Sequence, residues 1–138
     1  MSGDLFIKKM QNETIELFRE KFCSTLSVPH GEQRFSDNYA EGTYFRMDCL
    51  GVRAQIEVAD DSEVTDFDYH VHFRARLRAS ADDTTTMEGI AYLVSVELAS
   101  IGYEVLRLSP DLENPTGSRI RRRCIATDPD SPPKLVRE

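Results

Sequence analysis

Residues 68–79 read Asp68-Tyr69-His70-Val71-His72-Phe73-Arg74-Ala75-Arg76-Leu77-Arg78-Ala79. The rhythm is two residues long. Tyr69, Val71, Phe73, Ala75, Leu77 and Ala79 fall on one side of it; Asp68, His70, His72, Arg74, Arg76 and Arg78 fall on the other. Successive side chains of a strand point to opposite faces, so this stretch predicts a strand with one buried and one charged face.

The same period runs upstream. Phe45, Met47 and Cys49 alternate with Tyr44, Arg46 and Asp48. Beyond Leu50-Gly51, Val52, Ala54, Ile56 and Val58 alternate with Arg53, Gln55 and Glu57. That is a hairpin with one buried face. The acidic run 59–66 follows as a loop. Downstream, Thr85-Thr86-Met87-Glu88 fits a capping box, and Met87, Ile90, Ala91, Val94, Leu98 and Ile101 recur at helical spacing. They predict a helix over 85–101, closed by Gly102. A strand at 103–108 carries Tyr103, Val105, Leu106 and Leu108, apolar on both sides. The last strand, 118–126, sets Ile120, Cys124 and Ala126 against Arg119, Arg121 and Arg123.

At the front, Phe6, Ile7, Met10, Leu17, Phe18, Phe22 and Leu26 predict a helix over 4–26, capped by Ser2 or Asp4. With Ile15 included, its apolar positions cover roughly 200° of the wheel, against about 100° for a helix resting on one core. The excess predicts a second contact surface. Residues 27–41, rich in Pro, Gly, Asn and Asp, read as a long loop. Residues 127–138 read as a flexible tail rich in Pro and Asp. The sum is one α+β domain over 1–126, in the order α-β-β-β-α-β-β. Its sheet is largely antiparallel, of about five strands, with both helices packed on one face.

A chain of 138 residues with 40% hydrophobic residues can bury a core without disulfides or metal. Cys23, Cys49 and Cys124 are odd in number and lie at apolar-face positions, which points to reduced, buried thiols. The first residues lack the basic-then-apolar pattern of a secretory signal, and a cytoplasmic setting is expected, with a nuclear one as the alternative. The net charge of −7 disfavours non-specific binding to nucleic acid or acidic membranes. The charge is uneven, however. Acids crowd into loops and arginines into two strands.

Asp68-Tyr69-His70-Val71-His72 resembles the first metal motif of amidohydrolases, and more closely the opening motif of the polymerase-and-histidinol-phosphatase phosphoesterases. That resemblance implies a metal held by His70 and His72 and completed by Asp66 or Asp68. Those families build large barrels with further ligands, whereas this chain has one other histidine, His30, and its motif runs on in strand register. The residues themselves favour solvent-facing histidines, no metal and no cofactor. The second constellation is a basic sheet face: His70, His72, Arg74, Arg76 and Arg78 in one row and Arg119, Arg121 and Arg123 in another, with Arg46 and Arg53 beside them. Guanidinium forks suit phosphate and carboxylate. RNA, a phospholipid headgroup or an acidic peptide would fit, although few aromatics are at hand for base stacking. The plain alternative is a solvated face whose arginines pair with Asp48, Glu57, Asp68 and Glu104. Thiols on apolar faces are inert, so Cys–His catalysis is not expected. Glycine-rich phosphate loops, serine elbows and paired-carboxylate signatures are lacking.

The element order is similar to that of the small acidic chaperones of type III secretion, which are dimers. The stretch from Tyr69 through Leu98 resembles the C-terminal kinase-associated domain. The resulting expectation is a non-enzymatic protein-interaction module, adaptor-like or chaperone-like. It would pair with another protein or a second copy of itself through helix 4–26 and strand 103–108.

Overall fold

The computed structural model describes residues 3–36, 42–49, 51–61, 64–75, 83–110, 119–125 and 134–137. The elements are β1 (Gly3–Lys8), α1 (Ile15–Leu26), β2 (Glu32–Phe35), β3 (Thr43–Cys49), β4 (Val52–Val58), β5 (Tyr69–Ala75), α2 (Asp83–Ser100), β6 (Glu104–Pro110), β7 (Arg119–Ile125) and β8 (Lys134–Arg137). They build an α+β domain around one eight-stranded sheet in the order β2-β3-β4-β5-β1-β6-β7-β8, with every neighbouring pair antiparallel. Both β5 and β6 run antiparallel to β1 between them, so they are parallel to each other, and α2 makes the crossover.

The sheet is wider than the five strands expected, and each extra strand has a cause. Residues 3–8 are the central strand, not the first turns of a helix. Leu5, Phe6 and Ile7 are all buried, because β1 is covered on both faces. Three consecutive apolar residues fit either period, so the spacing alone misplaces them. The chain turns at Asn12, whose φ is 61°. Thr14 then caps α1, its hydroxyl accepting from the Leu17 N–H at 3.3 Å. With β1 removed, α1 buries a single stripe of Phe18, Phe22 and Cys23. The second strand, β2, lies inside the expected loop 27–41; all four of its residues are exposed, and it exists by pairing with β3. The eighth, β8, lies inside the expected tail and pairs with β7.

Helix α2 starts at Asp83, two residues before the expected capping box, and residues 76–79 of the expected strand 69–79 lie outside the described residues. Register places Tyr69, Val71 and Phe73 on the helix-covered face beside Val58, Ile56 and Ala54 of β4. Gly102, at φ 106°, ends α2, with the Tyr103 N–H returning to the Leu98 carbonyl at 3.2 Å. Helix α2 crosses β1 so closely that a Cβ on Gly3 would stand 2.6 Å from the Met87 carbonyl oxygen. The main core lies between the helices and the sheet and includes Leu5, Ile7, Phe18, Phe22, Val71 and Leu98. A smaller core closes the opposite face. There Phe6, Leu106 and Leu108 sit beneath Val64 and Phe67 of the loop between β4 and β5. Strand 103–108 is therefore apolar on both faces because both are covered from within the chain. No helix among the described residues is long and apolar enough to cross a membrane.

Candidate functional site

The sheet face opposite the helices carries the sequence's polar candidates. Strand register sets His72 beside Asp4 of β1 and Gln55 of β4, and His70 beside Phe6 and Glu57. The two imidazoles, 5.0 Å apart, share one carboxylate. Glu57 Oε1 lies 3.1 Å from His70 Nδ1 and 3.3 Å from His72 Nε2, and Asp4 Oδ1 lies 2.8 Å from His70 Nε2. The His70 ring stacks on Phe6 with centroids 4.4 Å apart and planes within 8°.

This geometry fixes a protonation state. Both nitrogens of His70 face carboxylate oxygens, so both must donate, and only the imidazolium can do that. Burial works against the charge, but the hydrogen bonds to Asp4 and Glu57 outweigh it and raise the pKa to about 9. Burial likewise works against the Glu57 carboxylate, and the two histidines overcome it, lowering its pKa to about 2. Glu57 Oε2 is buried with no hydrogen-bond partner among the described residues. The cluster is thus an internal ion-pair network spanning β4, β5 and β1.

Asp68, the first residue of the D-x-H-x-H motif, points elsewhere: its Oδ2 accepts from the Lys9 N–H at 2.9 Å. Asp66 is exposed. The histidines' carboxylate neighbours are instead Asp4 and Glu57, and among the described residues no group of three or more His, Cys, Asp or Glu has metal-holding geometry. His72 is buried, not solvent-facing, at 6% exposure. The thiols of Cys23 and Cys124 lie in the main core under the helices, and burial raises the pKa of both. His70 and His72 sit across the sheet from them. The Cys49 side chain lies outside the described residues.

The two arginine rows share a face without meeting. Strands β5 and β7 are separated by β1 and β6, about 14 Å in all. Between them lies the small apolar core with its covering loop. Arg74 is exposed; Arg76 and Arg78 lie outside the described residues. Acids hold much of the rest. Asp48 takes Arg53 at 2.9 Å, and Glu32 takes Arg46 at 2.6 Å and Arg34 at 3.0 Å. Asp61 takes Arg119 in a two-pronged fork at 3.1 and 3.2 Å. Arg123 reaches Glu104 at 3.5 Å and lies over the Phe67 ring. Arg121 has contacts of its own.

One buried polar cluster escaped the sequence reading. Glu13, placed mid-helix by the apolar spacing, lies in the turn before α1. Its carboxylate accepts from the hydroxyls of Tyr103 at 2.6 Å and Tyr69 at 3.1 Å and from Lys21 Nζ at 3.3 Å. Burial first, with Glu13 adding to it, pushes both tyrosine pKa values up, so both hydroxyls remain donors. The arrangement ties the start of α1 to β5 and to the residue before β6. Only the Thr14 cap could have revealed it. Compared with protein-family models, curated proteins and solved structures, the chain matches none of them.

Proposed function

We propose that this domain is a protein-interaction module that pairs with a second copy of itself through the outer face of α2. The observation that carries the reading is that the outer side of α2 exposes large apolar side chains. Met87, Ala91, Val94, Leu98 and Ala99 are buried in the core. On the opposite side Leu93 is 62% exposed and Tyr92 42% exposed. From Thr84 to Ser100 the charged residues are Glu88 and Glu97 alone. Large apolar side chains on an exposed helix face mark an interaction surface, here bordered by the polar Thr86, Glu97 and Ser100.

Gly89 adds a second reason. It lies inside α2, is exposed, and has nothing within 4 Å of where a Cβ would sit. A glycine there costs about 0.5–1 kcal/mol relative to alanine. No packing within the described chain calls for it. A second helix crossing closely at this point would, and a pair of identical α2 faces brings two such gaps together. The contact surfaces expected from the sequence, helix 4–26 and strand 103–108, are largely taken up inside the domain, so α2 replaces them.

Sedimentation velocity at micromolar concentration tests this. The wild type should run as a dimer and Leu93→Glu as a monomer with an unchanged circular-dichroism spectrum, its melting temperature no longer rising with protein concentration. A wild type that runs as a monomer ends the self-association reading. The alternative, anion binding by the open sheet face (RNA, phospholipid headgroup or acidic peptide), has less behind it, because many of that face's arginines already hold acids of the same chain.

A further inference from the structure

Strand β7 breaks its own rhythm. Arg119, Arg121 and Arg123 take the open face, and Ile120 and Cys124 take the helix face; Arg122 falls between these last two, where the pattern asks for an apolar residue. Its neighbour β6 breaks rhythm at the same level, with Arg107 on the helix face two residues past the buried Val105. The register sets Arg107 directly opposite Arg122, and Arg122 directly opposite Arg137 of β8. Directly opposed residues share a face. Three arginines from three adjacent strands therefore form one row, about 10 Å from end to end over two strand spacings.

Like charges opposed across a ladder repel one another. The inner end of the row is also short of partners. Arg107 is half-buried against α2, where its Nη1 donates to the Glu88 carbonyl oxygen at 3.4 Å, and its Nε is buried with no hydrogen-bond partner among the described residues. Burial, and then the charge of Arg122, lower its pKa from the ordinary guanidinium value. Places where a sequence departs from its own pattern are expected to be functional or strained sites.

We propose that the row Arg107–Arg122–Arg137 is a binding site for a diphosphate group. Guanidinium forks pair two-pronged with phosphoryl oxygens, and two joined phosphoryl groups offer oxygens to all three forks where one phosphate does not reach. The site lies on the helix face beyond α2, across the sheet from the arginine rows that the alternating pattern shows.

Inorganic pyrophosphate is the probe, titrated into the full chain by calorimetry alongside orthophosphate and citrate. The expected result is saturable one-to-one binding of pyrophosphate, at least tenfold tighter than either competitor, with a rise in melting temperature. Arg122→Gln should weaken it at least tenfold. Arg137→Gln, at an exposed edge position remote from the core, should weaken it several-fold with the fold intact. Arg119→Gln, on the other face, should bind as the wild type does. Unsaturable binding, equal affinity for pyrophosphate and orthophosphate, or the same loss in Arg119→Gln as in Arg137→Gln overturns the proposal.

Discussion

The two faces of the sheet are closed by different means. On one, two helices lay down a continuous apolar core that reaches from Phe45 on β3 to Cys124 on β7. On the other, a loop covers a small apolar patch around Phe6 and Leu106, and charged pairs occupy the ground on either side. Apolar burial is non-directional, so the helix face needs only volume and the right period. Polar burial is directional, and each buried imidazole or carboxylate must find its particular partner. The helix face should therefore lose most when volume is removed, and the open face when a partner is removed.

The largest effect is expected on the helix face. Phe18 is fully buried, stacks on Tyr69 at 4.5 Å and meets Tyr103 edge-on at 5.3 Å. Phe18→Ala should cost about 3–5 kcal/mol in urea unfolding. Phe67→Ala on the open face should cost about 2 kcal/mol, because a loop can settle into the space as a helix cannot. Equal costs would mean that the two faces are closed alike.

Next comes the imidazole–carboxylate cluster. Glu57→Gln removes the charge shared by both histidines and should cost about 2–3 kcal/mol near neutral pH. The pH profile distinguishes it from a packing defect. His70 titrates in the folded state at about 9, above its ordinary value of 6.5, so its contribution is complete below about 6.5 and fades as pH rises through 9. Glu57 titrates at about 2, below its ordinary 4.5, so its contribution is complete above about 4.5 and fades as pH falls through 2. The cluster thus stabilises most between about pH 4.5 and 6.5. Glu57→Gln should flatten the loss of stability between about pH 6.5 and 9. A profile parallel to that of the wild type would make Glu57 a space-filler.

That contrast also explains what could be read in advance. The 69–75 strand was legible because only one of its faces lies under the helices, which leaves an alternation to see. The central strand was not, because Leu5, Phe6 and Ile7 are buried from both sides and the alternation disappears. The edge strands were illegible for the opposite reason. Glu32, Gln33, Arg34 and Phe35 are all exposed, and what makes them a strand is the free edge of β3 rather than any pattern of their own. Of the cluster, His70 and His72 showed in the rhythm of one strand. Their partners Asp4 and Glu57 arrive from two other strands, and no sequence pattern tells which strands will be neighbours. The Arg107, Arg122 and Arg137 row was hidden in the same way: Arg107 and Arg122 show only as breaks in the alternation of their own strands, and only the register sets the three side by side.

The smallest effect should fall on the fork between Arg119 and Asp61, and it tests the comparison most closely. The fork fastens the covering loop to β7, with side chains about a third and a quarter exposed. A pair so placed is screened by water and salt and contributes about 0–1 kcal/mol. If the loop is held chiefly by Val64 and Phe67, Arg119→Ala should lower stability by about 0.5 kcal/mol at low salt and by less at high salt. Hydrogen exchange at the Val64 amide, which donates to the Asp61 carbonyl at 3.0 Å, should then change little. If Arg119→Ala instead costs several-fold more and frees that amide, charge closes this face even over its apolar patch. The open face would then owe its order to directional partners throughout, and the division between the two sides of the sheet would be sharper than the burial pattern alone indicates.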